Sequence, residues 1–153
     1  MIGAVPDASV LLAFYLPAEP YKQAARAVLE AYVRGKLRLV IPALCRYEFC
    51  SGLSKAVRGL RGGERITEEE AEKVLRSFLG LGIEAVGPDG MELEIVEVSI
   101  RFGCSAYDAV YLVLADRMGW PMVTADDRLH RALKDRFPQV RHVEEVASGL
   151  ERG

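Results

Sequence analysis

The sequence predicts an α/β fold of three layers, α/β/α, around a central, mostly parallel sheet. Short runs rich in Val, Ile and Leu alternate with longer stretches of helical periodicity, the pattern of a parallel sheet covered by helices on both faces. A chain of 153 residues suits one domain, and residues 1–153 are expected to form one. Apolar residues make up 50% and charged residues 27%, proportions that exclude disordered, collagen-like and disulfide-scaffold proteins.

Ile2 to Val5 reads as the first strand, and Ala8 to Leu16 as a helix that Pro17 helps to end. Pro20 to Arg34 is amphipathic, with Ala25, Val28, Leu29 and Tyr32 near one face and Gly35 as its stop. Leu37 to Ile41 is a strand. Pro42 sits where a first helical turn accepts proline and is expected to open a helix reaching about Arg58. Gly59 to Gly63 is turn-rich, and Thr67 with Glu68, Glu69 and Glu70 has capping-box spacing before a helix that ends near Leu81 and Gly82. Ile83 to Val86 fits a strand, Met91 to Phe102 a helix stopped by Gly103, and Ser105 to Met118 a helix closed by Gly119. Pro121 to Val123 is a strand, Asp126 to Arg136 a helix, and Val140 to Val143 a last strand before a short terminal helix.

No apolar run reaches the roughly 18–20 residues of a membrane helix, which argues against a membrane protein. The first basic residue is Lys22 and Asp7 interrupts the early apolar residues, so the chain is expected in the cytoplasm rather than exported. Cys45, Cys50 and Cys104 form no C-x-x-C pair and read as buried thiols in a reducing compartment. Asn is absent and Gln occurs only at Gln23 and Gln139, a scarcity of heat-labile amides that hints at a hot habitat.

A net charge of −2 excludes a general polyanion binder of the histone kind. The charge is uneven, however. Residues 22–65 hold ten basic and three acidic side chains, and residues 66–100 hold two and nine. Lys22, Arg26, Arg34, Lys36, Arg46, Lys55 and Arg58 form either a phosphate-attracting face or the solvated surface that any long helix collects.

Parallel α/β folds bind ligands beyond the carboxyl ends of their strands, near the point where strand order reverses. Asp7 follows the first strand in Val5-Pro6-Asp7-Ala8-Ser9, and Asp126 follows a later one in Val123-Thr124-Ala125-Asp126-Asp127. Each is a helix N-cap, a position Asp favours, or a ligand at the sheet edge. Asp108 lies in the first turn after Ser105, where a carboxylate suits the helix dipole. The stretch from Ala109 to Ala115 has no polar group except a tyrosine hydroxyl, so Asp108 opens a buried helix, a costly place for an unpaired charge.

Glu48 is the least expected of the four. It lies inside the apolar stripe of Leu44, Phe49, Gly52, Leu53, Ala56 and Val57, where it either pairs with Arg46 or another base or serves a site. Two like charges about 4 Å apart repel by about 4 kcal/mol at an effective dielectric of about 20, so four acids at one sheet edge need a cation. Oxygen-only ligands select Mg²⁺ or Mn²⁺. His130 and His142 lack ligand spacing and are expected at the surface.

Four segments, spread over most of the chain, carry a family resemblance: Val5-x-Asp7-Ala8-Ser9, Tyr47-Glu48, Ser105-Ala106-Tyr107-Asp108-Ala109-x-Tyr111-Leu112 and Val123-Thr124-Ala125-Asp126-x-x-Leu129. Together they resemble the PIN-domain nucleases, specifically the VapC-type toxins of toxin–antitoxin modules. The resemblance implies a PIN-like fold and an acidic site of Asp7, Glu48, Asp108 and Asp126, with Ser9, Ser105 and Thr124 as polar supports. It implies hydrolysis of RNA assisted by Mg²⁺ (or Mn²⁺), with Asp7 and Asp108 on the ion and Asp126 and Glu48 completing its shell through water or binding a second ion. Implied partners are an RNA substrate, a second copy in a homodimer, and a small antitoxin whose terminal segment sets a basic side chain among the carboxylates. Ala8 departs from the hydroxyl residue the family often has there, the Gly59 to Arg65 turn is long for the family, and Asp127 falls on a variable position.

Rival readings are a phospho-acceptor α/β domain, an RNA-processing nuclease that is not a toxin, and a catalytically silent RNA- or partner-binding module. A phosphatase of the haloacid type wants Asp where Ser9 stands, and a receiver wants an acidic pair after the first strand and a Lys after the last. A silent module would have lost one or more of the acids, and all four are present.

Overall fold

The computed structural model describes residues 3–153, so Ile2 of the expected first strand lies outside the described residues. Five strands form the sheet: β1 (Gly3–Pro6), β2 (Arg38–Pro42), β3 (Glu84–Val86), β4 (Met122–Thr124) and β5 (Val140–His142). Their order is β3-β2-β1-β4-β5, and every pair is parallel, where the sequence suggested mostly parallel. Among the described residues eight helices accompany them: α1 (Ala8–Tyr15), α2 (Lys22–Val33), α3 (Leu44–Arg58), α4 (Glu68–Gly80), α5 (Glu92–Phe102), α6 (Ala106–Met118), α7 (Asp127–Leu133) and α8 (Val143–Glu151).

The chain steps from β1 through β2 to β3 in one direction, then crosses to β4 and β5 in the other. Right-handed crossovers therefore put α1 to α4 on one face and α5 to α7 on the opposite one. The central strands are apolar on both faces, and α6 is buried from Ala109 to Ala115, as a helix lying across β1, β2 and β4 must be. On the other face, Phe49 of α3 is fully buried between Tyr15 of α1 and Phe78 of α4, with ring centres 5.8 and 4.2 Å away.

Several boundaries follow their sequence signals. Gly59, Gly103 and Gly119 close α3, α5 and α6 at φ of 71°, 64° and 66°, the left-handed region that costs glycine least. Thr67 caps α4 by accepting from the Glu70 N–H at 3.1 Å.

Others differ. Pro42 does not open α3 but ends β2 opposite Val86, and the ladder continues through the Ala43 N–H, which donates to the Val86 carbonyl at 2.7 Å. A proline at a strand end orphans no acceptor there. Helix α2 starts at Lys22, two residues later than expected, and Lys22 Nζ donates to the Phe14 and Leu16 carbonyls at 2.7 and 2.8 Å. That lysine satisfies the end of α1 rather than joining a phosphate-attracting face. Helix α7 stops at Leu133, short of Arg136, and the chain continues as a turn in which the Phe137 N–H donates to the Leu133 carbonyl at 2.8 Å. Cys45 is buried as expected, but Cys50 is exposed, since it sits on the side of α3 away from the Phe49 stripe.

Candidate active site

Strand β1 lies between β2 and β4, and the chain leaves that pair of neighbours in opposite directions, which opens a crevice beyond their carboxyl ends. Asp7 follows β1 directly. Its N–H extends the ladder to the Val123 carbonyl at 2.9 Å, and its Oδ1 accepts from the Ser9 N–H at 3.0 Å, the Ser9 hydroxyl, and the Val10 N–H at 3.4 Å. Asp126 repeats the arrangement after β4, its Oδ1 accepting from the Arg128 and Leu129 N–H groups at 2.9 and 3.1 Å. Both strand-end aspartates are therefore caps, and in both the capping bonds fall on Oδ1, leaving Oδ2 out of them.

The polar supports tie these two ends together. Ser9 Oγ lies 3.2 Å from Thr124 Oγ1 and accepts from the Ala125 N–H at 2.8 Å, while Thr124 Oγ1 accepts from the Asp126 N–H at 3.0 Å. Ser105 acts elsewhere, as the N-cap of α6, accepting from the Asp108 N–H at 3.0 Å.

Glu48 comes from α3 and, among the described residues, pairs neither with Arg46, which is exposed, nor with another base. Instead the Tyr111 hydroxyl of α6 donates to its Oε1 at 2.5 Å. Tyr111 belongs to one of the family-like segments, but its sequence context alone assigns it no role at the site. Its signal was legible as a lone hydroxyl in a buried apolar run, which requires a partner, and an acid in an apolar stripe supplies one.

A cavity of about 170 Å³ is lined by Asp7, Glu48, Asp108 and Asp126, together with Ser9 and Tyr111. Burial is the main cause that raises Asp7 from 3.8 to about 6, against the hydrogen bonds of Ser9, Thr124 and Val10, and the Glu48 charge raises it further. Burial likewise raises Glu48, which also feels Asp108, and raises Asp108, which also feels Asp126. The four carboxylates thus repel one another in a chain from Asp7 to Asp126. Below them, burial pushes the Cys45 thiol up to about 12, which makes it an inert packing group.

The donor chemistry fits a hard divalent cation, since it is all oxygen and the acids resist ionising without a counter-charge. The spacing is open: among the described residues no three His, Cys, Asp or Glu side chains converge into a metal-holding group. A cation here would draw on water for part of its shell.

Asp127 points away from this cavity's lining, accepting from the Tyr21 hydroxyl at 2.7 and 2.8 Å and lying 3.0 Å from His142 Nε2. His142 is buried rather than at the surface. It caps α8 through Nδ1, which accepts from the Glu144 N–H at 3.2 Å, and Tyr21 packs edge-on against its ring.

The PIN domain family matches residues 4–134. The chain is 32% identical over 139 residues to Ribonuclease VapC3 of Pyrobaculum aerophilum, a match covering 88% of this chain and 94% of that protein. It is 35% identical over 92 residues to Ribonuclease VapC9 of Mycobacterium tuberculosis, covering 60% and 68%. The crystal structure of PAE2754 from Pyrobaculum aerophilum has the same fold, with a TM-score of 0.71 over 99% of this chain and 97% of that one at 24% identity. A family match over residues 4–134 and a relative aligned along nearly its whole length place this chain in the PIN domain family, among its VapC-type members.

Proposed function

We propose that this protein is a metal-dependent endoribonuclease that hydrolyses phosphodiester bonds in RNA, and that it is the toxin of a toxin–antitoxin pair. The observation that carries this reading is the cavity at the reversal of strand order that Asp7, Glu48, Asp108 and Asp126 line together. Relatives named ribonuclease support it. Residues 1–153 would act as one nuclease domain in the cytoplasm.

Asp7 and Asp108 would hold Mg²⁺ or Mn²⁺ directly, and Asp126 and Glu48 would complete its shell through water or bind a second ion. The bound ion supplies a polarised phosphate and a nucleophilic water at neutral pH. Tyr111 fixes the Glu48 carboxylate, Ser9 and Thr124 fix Asp7, and Ser105 sets the first turn that presents Asp108. No covalent intermediate on the chain is needed.

An antitoxin segment carrying an Arg would reach Glu48 and Asp108 through charge-assisted hydrogen bonds and compete with metal and RNA. A second copy would pack on α5, where Leu93, Val96 and Ile100 form an exposed apolar face. The test is cleavage of RNA by purified protein with Mg²⁺, with EDTA, and with Asp108→Asn. Cleavage should vanish in EDTA and slow by about 10²-fold or more in the variant, since the ion stabilises the transition state by several kcal/mol. Cleavage that persists in EDTA overturns the mechanism.

A further inference from the structure

The crevice continues past the carboxylates. A second cavity, of about 390 Å³, shares Asp108, Asp126 and Leu129 with the acidic one and extends along α7. Its remaining wall includes Arg128, Arg136 and Ala132. A volume of that size takes a small organic ligand.

The two arginines are the informative part. The Arg136 guanidinium donates to the Phe102 carbonyl at 2.6 Å and the Ala132 carbonyl at 3.3 Å. Both acceptors are neutral and the side chain makes no ion pair among the described residues, so it is held in place while its charge is left available. Arg128 makes no side-chain hydrogen bond or ion pair among the described residues. Neither arginine bridges to Asp108 or Asp126, although all four line one cavity. Arg136 thus places a held positive charge beside the negative site and Arg128 adds a second that is free to reach a ligand, and a planar fork of donors matches a phosphate. A chain of phosphodiesters presents that ligand at a regular step. The exposed side of Leu129 and Ala132 offers an apolar wall to an unstacked base, which duplex RNA does not present.

We propose that this second cavity is a nucleotide subsite for single-stranded RNA. Arg128 and Arg136 bind the phosphate adjoining the one that is cut, and the wall of α7 takes the base. The subsite rests on the ribonuclease reading for its substrate, and the experiment separates the two.

Arg136 also braces Phe102, so the test uses Arg128→Ala and the milder Arg136→Lys. Two measurements apply to each: steady-state cleavage of a single-stranded RNA oligonucleotide in Mg²⁺, and anisotropy of the same labelled oligonucleotide in EDTA across a salt series. Arg128→Ala should raise KM by about five- to tenfold with kcat within about twofold, and should lower the slope of log affinity against log salt by about 1. Replacing the adjoining phosphate with a methylphosphonate should weaken the wild type by a similar factor and the variant no further. Cleavage by the wild type with KM, slope and methylphosphonate sensitivity unchanged in both variants overturns the subsite and leaves the ribonuclease standing. Binding with an Arg128-dependent slope but no cleavage by the wild type overturns the ribonuclease and leaves the subsite. Neither binding nor cleavage overturns both.

Discussion

The Tyr111 hydroxyl donates to Glu48 Oε1 at 2.5 Å, joining the buried helix α6 to α3 across the end of the sheet. The bond favours the ionised carboxylate, while burial and the Asp108 charge oppose ionisation. In Tyr111→Phe that support is gone and Glu48 moves further up. The acid limb of the cleavage rate should therefore shift to higher pH, with a loss that grows as pH falls. Stability should fall by about 1–3 kcal/mol, the range for an unmet buried polar group. A pH–rate profile of kcat/KM for both proteins checks this, and an unmoved acid limb would show that Glu48 is not required in its ionised form.

Asp7 gives the metal-free protein a pH dependence of unusual sign. Its folded value of about 6 exceeds the 3.8 of an exposed carboxyl, so the folded state binds the extra proton between those values. The contribution favours folding below about pH 4 and is lost as pH rises to 6, amounting to about 3 kcal/mol for a shift of about two units. Asp7→Asn keeps a capping oxygen and removes the titration. Urea unfolding in EDTA should show the variant gaining stability over the wild type as pH rises from 4 to 7. Glu48 and Asp108 shift the same way and add to the wild type's slope. A difference between the two proteins that does not change with pH would mean Asp7 is ionised throughout.

Gly52 carries a packing argument that reaches the site. A Cβ there would lie 2.5 Å from Leu12 Cδ1 and 2.8 Å from Leu12 Cδ2, and Leu12 is buried. Gly52→Ala gains helix propensity of about 1 kcal/mol but must displace Leu12, and overpacking costs about 1–3 kcal/mol. The variant should be destabilised, and its cleavage should fall because α1 carries Ser9 and α3 carries Glu48. Gly80→Ala, at the end of α4 with nothing within 4 Å, is the control and should be neutral or slightly stabilising. Thermal melts of both variants decide it.

Local signals were the legible part of this chain. Asp7 and Asp126 could be found because capping and ligand roles both sit just past a strand; the structure shows the capping role, carried by Oδ1, with Oδ2 outside those bonds. Glycine stops and the Thr67 cap were equally local. Strand order was not legible, since pairing is decided between residues such as Val5 and Met122 that lie far apart in the chain. Pro42 misled because its fixed φ suits a strand end as well as a first helical turn. His142 looked like a surface residue because nothing nearby in sequence announces Tyr21 and Asp127, which enclose it from two other segments. Glu48 and Tyr111 were each visible as misfits, and only the fold shows that they answer one another.

Helix α5 supplies the last expectation, which concerns assembly. It has no buried residue, and Leu93, Val96 and Ile100 are 72%, 53% and 78% exposed along one face. Two copies of this helix packed antiparallel about a two-fold axis near Val96 would set Leu93 on Ile100 of the other copy at both ends. A self-complementary face is what a two-fold interface needs. Ile100→Glu should abolish self-association, since each copy would then bury a charge against apolar surface. Sedimentation equilibrium of the variant and the wild type measures this, and a wild type that stays monomeric up to high concentration would leave the α5 face to the antitoxin instead.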